Sequence, residues 1–348
     1  MQNNSLEKSS LVTAVARITF LSLAEKIKLY KNLDSVHSLA LMSLTDISRL
    51  VSRELSRATW NSKENCDSAI VEAKMLESKG IGFLLYEDSG YPALLKETVN
   101  APFALFYRGN VNALCAPSVS MVGSRMVTPA GKKATYDFAY KASSEGVSVV
   151  SGLARGVDGE SHKAALDAYY DKLEHGASSG ENKGSVTADG IGKTIAVLPC
   201  GIDTVFPTSH RALAEKIIKT GGVLVSEYVP GTPAEKFRFV QRNRIIAALS
   251  PCTVVTEAPD GSGSLITADY AIEYNRDLVF LSSCFSSSAE EVRKSLRAKS
   301  AEGSSKKSGK SSRRLENYLE MGAPVVQDYE DFKKFLSEEP GKRSCIKC

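Results

Sequence analysis

The chain has no run of about 18 apolar residues, so it contains no segment long enough to cross a bilayer as a helix. Its N-terminal apolar stretch, Leu11 to Leu23, is broken by Arg17 and preceded by Glu7, which reads as an amphipathic helix and not as a secretory signal. A decisive excess of either charge is also missing. The 44 Lys plus Arg stand against 40 Asp plus Glu, and the resulting +4 is too small to argue by itself for nucleic acid. The 7 cysteines are odd in number and scattered mostly through apolar runs, where free thiols pack as small hydrophobes. That usage suits a reducing, cytoplasmic setting and excludes a disulfide framework. Cys345 and Cys348 have Cys-x-x-Cys spacing, yet no second pair or zinc-spaced histidine lies nearby. No metal site is therefore expected, and the tail 338–348 reads as frayed.

What is present is length and pattern. The 348 residues suffice for two or three domains of modest size. Residues 8–79 read as short helices, with apolar spacing at Leu11, Val15 and Ile18 and a capping-box start from Ser22 to Glu25, so that 1–80 forms a small helical domain. A DNA-contacting helix-hairpin-helix is conceivable there, but its tight glycine-containing hairpin is not evident. Residues 81–117 read as a strand (Ile81 to Tyr86), a short helix opening at Tyr91-Pro92 and a second strand (Phe103 to Tyr107).

From residue 118 to 337, short apolar strands alternate with amphipathic helices. The strands fall at Val119–Val122, Val147–Val150, Thr194–Leu198, Val223–Val225, Thr253–Thr256, Leu278–Leu281 and Pro324–Val326. Such alternation predicts an α/β fold, a Rossmann-like doubly wound sheet that is mostly parallel, with ligands beyond the carboxyl ends of its strands. Two interruptions read as exposed insertions: 171–192, rich in Gly, Ser and charge, and 282–312, a flexible basic loop. Within the latter, nine basic residues and one acid fall between Arg293 and Arg314.

Five loops or helix starts carry the unusual residues. In Val122-Gly123-Ser124-Arg125, Gly123 lets the backbone approach a ligand, the following helix N-terminus favours an anion, and Arg125 can fork onto phosphate. This is less than a full G-x-G-x-x-G and is weak alone. Ser151-Gly152-Leu153-Ala154-Arg155-Gly156-Val157-Asp158 is a second glycine turn, with Arg155 in reach of phosphate and Asp158 placed to cap the next helix. His162, one turn further, reads as a hydrogen-bonded structural histidine. Pro199 to Asp203, followed by Phe206-Pro207, reads as pocket wall. Lys236-Phe237-Arg238-Phe239-Val240-Gln241-Arg242-Asn243-Arg244 mixes four cations with two aromatics, as a single nucleic-acid strand requires, although a solvated face over ordinary core rings would look the same. Gly261-Ser262-Gly263-Ser264 opens a helix with small donors suited to phosphate oxygens, in DNA or in a nucleotide.

Taken in order, V-G-S-R, S-G-L-A-R-G-V-D, F-P-x-x-H-R-x-L, S-E-Y-x-P-G, K-F-R-F-x-x-R-N-R-I-I and S-G-S-L-I-T-A closely resemble the DNA-processing protein A (DprA, also called Smf) family of bacteria. The resemblance is strong over about 81–283 and weak in the flanks. It implies a non-enzymatic, cofactor-free protein that binds single-stranded DNA, protects it and helps to load the RecA recombinase in natural transformation and recombination. It also implies a homodimer formed through the Rossmann-like domain. The implied DNA pocket has Arg125 and Lys236 on phosphates, Phe239 beside a base, and Ser262, Gly263 and Ser264 along the wall, with Gly123, Ser124, Gly152, Arg155, Arg242 and Asn243 contributing. Some of the Arg242-Asn243-Arg244 group are expected to be structural ion-pair partners.

The chain departs from the family at Val240-Gln241, where Pro-Ala is usual, and at Ser282-Ser283-Cys284, where Pro-Gly is usual. The 171–192 insertion is unusual, and a C-terminal winged helix is not expected from the sequence. The main rival is an enzyme that cleaves nucleoside monophosphates on a related fold. Its motif places a glutamate just beyond a Pro-Gly-Gly-x-Gly-Thr loop, whereas here Pro259-Asp260-Gly261-Ser262-Gly263-Ser264-Leu265-Ile266 has no acid at that place. A pure interaction scaffold would leave the clustering of cations and rings unexplained.

Overall fold

A computed structural model of the chain describes residues 2–178, 190–302 and 313–338. Five helices come first: α1 (Gln2–Ala16), α2 (Leu23–Lys31), α3 (Val36–Ala40), α4 (Leu44–Val51) and α5 (Ser62–Ser78). The expected capping box holds, with Ser22 and Glu25 exchanging hydrogen bonds at the start of α2, and Ser43 and Asp46 repeat the device at α4. The apolar side chains of this region, among them Val15, Ile18, Leu29 and Leu39, belong to one buried cluster with Phe106 and Leu224 of the sheet and Ile217 of a helix that covers it. The helices are thus continuous in packing with the rest of the molecule.

The remaining elements are β1 (Gly82–Leu85), α6 (Ala93–Lys96), β2 (Ala104–Gly109), β3 (Ser118–Gly123), α7 (Pro129–Ser144), β4 (Ser148–Ser151), α8 (Val157–Ser178) and β5 (Thr194–Val197). They continue with α9 (Arg211–Lys219), β6 (Val223–Ser226), α10 (Lys236–Ala248), β7 (Cys252–Glu257), α11 (Gly263–Glu273), β8 (Asp277–Leu281), α12 (Ser287–Glu302), α13 (Leu315–Glu320), β9 (Val325–Val326) and α14 (Tyr329–Glu338). Nine strands form one sheet in the order β1-β2-β6-β5-β4-β3-β7-β8-β9. From β6 to β9 every pairing is parallel, while β1 and β2 extend the β6 edge antiparallel. Strands β4 to β7 are buried along their whole length, which is why they read as unbroken apolar runs and not as alternation. The fold is the expected Rossmann-like, mostly parallel α/β sheet with a helical N-terminal region.

Two expectations need correction. The segment 282–312 is no flexible loop over its described part: a 3-10 turn, Ser282–Phe285, leads directly into α12. Arg293 on α12 is buried and donates to the Cys284 carbonyl, Lys294 pairs with Glu290, and Arg297 pairs with Asp260 and Glu316. Arg313 pairs with Asp269, so three of the nine basic residues, Lys294, Arg297 and Arg313, meet acids within the fold. The stretch 303–312 lies outside the described residues. Similarly, the first part of the expected insertion 171–192 is the end of α8, and Ile191 is buried again, which leaves 179–189 outside the described residues.

Candidate functional site

The strand order reverses between β3 and β7, the place where an open parallel sheet leaves a crevice beyond its carboxyl ends. The β3–α7 loop carrying Arg125 and the β7–α11 loop carrying Gly261 to Ser264 flank that crevice. Arg155 follows the neighbouring β4, Phe206 follows β5, and α10 follows β6, so all five unusual segments lie along one edge of the sheet.

The central contact joins three of them. The Arg125 guanidinium carbon lies 5.0 Å from the centre of the Phe239 ring, and that ring meets Phe206 edge to face at 5.3 Å. Phe206 is 41% exposed and Phe239 half-buried, so neither is an ordinary core ring. Lys236 is exposed at the first position of α10, one turn before Phe239 on the same side, and forms no ion pair among the described residues. A cation over an aromatic face with a second cation one turn away presents the groups that a phosphate and an unstacked base require.

Gly123 and Gly152 each have a packing role within the fold. A Cβ on Gly123 would stand 2.5 Å from Val157 Cγ2, and one on Gly152 would stand 2.0 Å from Arg242 Nη1. Both glycines therefore permit close packing inside the protein. Ser124 is buried, and its hydroxyl closes a turn with the backbone of Met126 at 2.9 and 3.1 Å. Nor is the N-terminus of α7 free for a phosphate. Thr128 caps it, and the buried Glu257 carboxylate accepts from the Thr128 amide at 3.1 Å and from its hydroxyl at 2.8 Å, supplying the anion internally.

Arg242 and Asn243 also turn inward. Arg242 is 3% exposed and donates to the Gly152 and Val197 carbonyls at 2.6 and 2.5 Å, while its Nε reaches Asn243 Oδ1 at 3.2 Å. Asn243 Nδ2 donates to the Gly263 carbonyl at 2.9 Å. The pair thus ties the loops after β4, β5 and β7 to α10 and shapes the edge instead of touching a ligand. Burial lowers the Arg242 guanidinium to about 10, and burial also raises the Asp158 carboxyl against the opposing pull of Arg242. Asp158 stands inside the first turn of α8, accepting from the Ala154 amide at 3.3 Å, and is not its cap. Of the other cations on α10, Arg238 pairs with Glu235 at 3.0 Å and Arg244 with Glu227 at 2.5 Å. Lys236 is thus the α10 cation that the fold leaves unneutralised among the described residues.

At the β7–α11 loop, Ser262 is the N-cap residue of α11 with no capping bond from its side chain, and its hydroxyl bonds instead to that of Ser264 at 2.7 Å. The first amides of α11 therefore receive no side-chain cap. Cys200 and Ile202 are buried, so the expected pocket wall there is core, with only Phe206 reaching the site. His162 is fully buried, with Nδ1 2.5 Å from the Thr194 hydroxyl, and burial pushes it down to about 3. It is a neutral structural histidine.

The residue reading missed a cleft of about 640 Å³ that starts at Arg125 and Arg155 and runs between α7, α8 and α9, with Lys132, Lys163 and Lys216 on its walls. A signal was available in the stripe Gly159, Lys163, Leu166 and Tyr170 on α8, which keeps one helical face. Among the described residues no three or more His, Cys, Asp or Glu gather as they would to hold a metal, and no helix is long and apolar enough to cross a membrane.

The fold and site together define a Rossmann-like protein with an aromatic, cationic crevice at its switch point. The family model described as DNA recombination-mediator protein A matches residues 82–312, and the chain belongs to that family. Among curated relatives, Protein Smf of Synechocystis is 36% identical over 209 residues, covering 59% of this chain and 47% of that protein. The DNA processing protein DprA of Streptococcus pneumoniae is 39% identical over 191 residues, covering 55% and 59%. The chain thus spans about half the length of these two relatives. The X-ray structure of the S. pneumoniae protein superposes with TM-score 0.62 at 26% identity, covering 92% of this chain and 95% of that one. A DNA processing protein A from Helicobacter pylori, whose structure was described for its single-stranded DNA binding mode, shares the fold at TM-score 0.53 and 23% identity, covering 74% and 96%.

Proposed function

We propose that the chain binds single-stranded DNA at the switch-point crevice, with Arg125 and Lys236 on phosphates, Phe239 stacked on a base and the Ser262-Gly263-Ser264 turn donating to the backbone. The observation that carries this reading is the Arg125–Phe239 contact, because it joins residues from distant segments into a charge and an accessible ring at the edge where such sheets bind ligands. Arg155 adds a further exposed cation after β4. Membership of the recombination-mediator family supports a role in recombination, and the finer role proposed is to protect incoming strands and assist loading of the RecA recombinase in natural transformation, as a homodimer.

The rival hydrolytic reading has weaker support. Glu257 is occupied with Thr128 and Asp260 with Arg297, so the carboxylates beside the loop already have partners within the fold. A salt-dependent titration against single-stranded and duplex oligonucleotides of one sequence tests the proposal. Preference for the single strand with a steep salt slope is expected. Equal affinity for duplex, or binding insensitive to salt, would overturn it.

A further inference from the structure

We infer that the cleft between α7, α8 and α9 is a second segment of the single-strand path, receiving the strand as it leaves the crevice at Arg125. Arg125 and Arg155 stand at the mouth, and Lys132, Lys163 and Lys216 come from three different helices. These five cations face two acids, Glu160 and Asp167. Glu160 offsets Lys132 at 3.5 Å, and Asp167 accepts from the Tyr136 hydroxyl at 3.0 Å. Arg125, Arg155, Lys163 and Lys216 are exposed and form no ion pair among the described residues. An ordinary solvated surface intersperses both signs, whereas here the positive charge collects in a concavity, which suits a polyanion.

The dimensions also fit. The cleft follows α8 from Gly159 to Tyr170, a span of about 16 Å at 1.5 Å per residue, room for roughly five stacked nucleotides at about 3.4 Å each. Tyr170, 36% exposed at the far end, offers a ring face to a base. Arg125 lines both this cleft and the crevice beside Phe239, so the occupant is the same single strand continued.

The inference rests on the crevice being the primary single-strand site, and the test keeps the two apart by length. Oligothymidylates of about 6 and about 20 nucleotides are titrated against the full chain and two variants, Phe239→Ala and the double variant Lys163→Gln with Lys216→Gln. The cleft variant is expected to bind the short oligomer normally but the long one about 25-fold more weakly near 0.1 M salt, with a salt slope shallower by about 1.4. The charge-keeping pair Lys163→Arg with Lys216→Arg should bind both like the parent. Phe239→Ala should weaken both lengths. Unchanged binding of the long oligomer by a cleft variant of normal melting temperature would overturn the second segment while leaving the crevice standing. Loss of the short oligomer in the cleft variant would show that the cleft is itself the primary site and would overturn the order proposed. Normal binding of both lengths by Phe239→Ala would instead count against the crevice.

Discussion

Replacing Phe239 by alanine removes a half-buried ring that lies beneath the Arg125 guanidinium and meets Phe206 edge to face. On the folding side it forfeits the Arg125 contact at 5.0 Å, worth about 0.5–1 kcal/mol at an exposed site, and the edge-to-face pair with Phe206 at 5.3 Å, worth about 0.5–1.5 kcal/mol. With about 1 kcal/mol more for the apolar surface of a half-buried ring, the sum, about 2–3.5 kcal/mol, lies at or below the roughly 3–5 kcal/mol lost when a fully buried phenylalanine is truncated. The melting temperature should fall by only a few degrees. On the binding side, loss of a base-stacking ring costs about 1–3 kcal/mol, a weakening of roughly 5- to 150-fold. Because no charge is removed, the slope of log affinity against log salt should not change. Differential scanning calorimetry and fluorescence-anisotropy titrations at several salt concentrations read the two effects separately. A variant that melts early yet binds single-stranded DNA like the parent would refute the stacking role and place the ligand elsewhere.

Three further outcomes are expected. Arg242→Met should lower stability by about 2–4 kcal/mol in denaturant titrations, because it removes the positive charge that favours the buried Asp158 carboxylate and leaves the Gly152 and Val197 carbonyls without their donor. A loss below 1 kcal/mol would show that the inward guanidinium is not structural. His162, held down to about 3 by burial, stays neutral in the fold while its unfolded counterpart takes a proton near pH 6.5, so stability is intact above that pH and falls as pH drops from about 6.5 to about 3. The slope from this one group is at most about 1.4 kcal/mol per pH unit; His162→Leu should flatten that acid limb, and an unchanged limb would assign it to other groups. Incubation with nucleoside monophosphates should release neither base nor ribose phosphate, while Glu257→Gln should destabilise the start of α7 through its bonds to Thr128. Release that disappears in Glu257→Gln or Asp260→Asn would restore the enzymatic reading.

The sheet was legible because central strands buried on both faces leave unbroken apolar runs, and seven short strands alternate with amphipathic helices between 118 and 337. The exposed cations Arg125 and Lys236 and the ring of Phe239 were legible too, as residues out of keeping with the core around them. What each glycine and arginine does was not. Gly152 and Arg242 are 90 residues apart, and only the folded chain shows that one is small because the other fills its space. The same holds for Glu257, whose place at the end of β7 suggests chemistry until Thr128 is seen against it. Helix α12 was hidden because its apolar stripe, Ala289, Val292 and Leu296, is thin among Ser, Lys and Arg, and this composition resembles that of a solvated loop. The basic cleft escaped notice because its lysines come singly from α7, α8 and α9.

The most direct test of the crevice is the salt slope for single-stranded DNA in the parent and in Arg125→Ala and Lys236→Ala. If each side chain neutralises one phosphate, each variant should bind all sequences more weakly to a similar degree, with a slope shallower by about 0.7 and the double variant by about 1.4. Slopes equal to the parent's in both single variants would contradict the account, because neither cation would then be touching the strand.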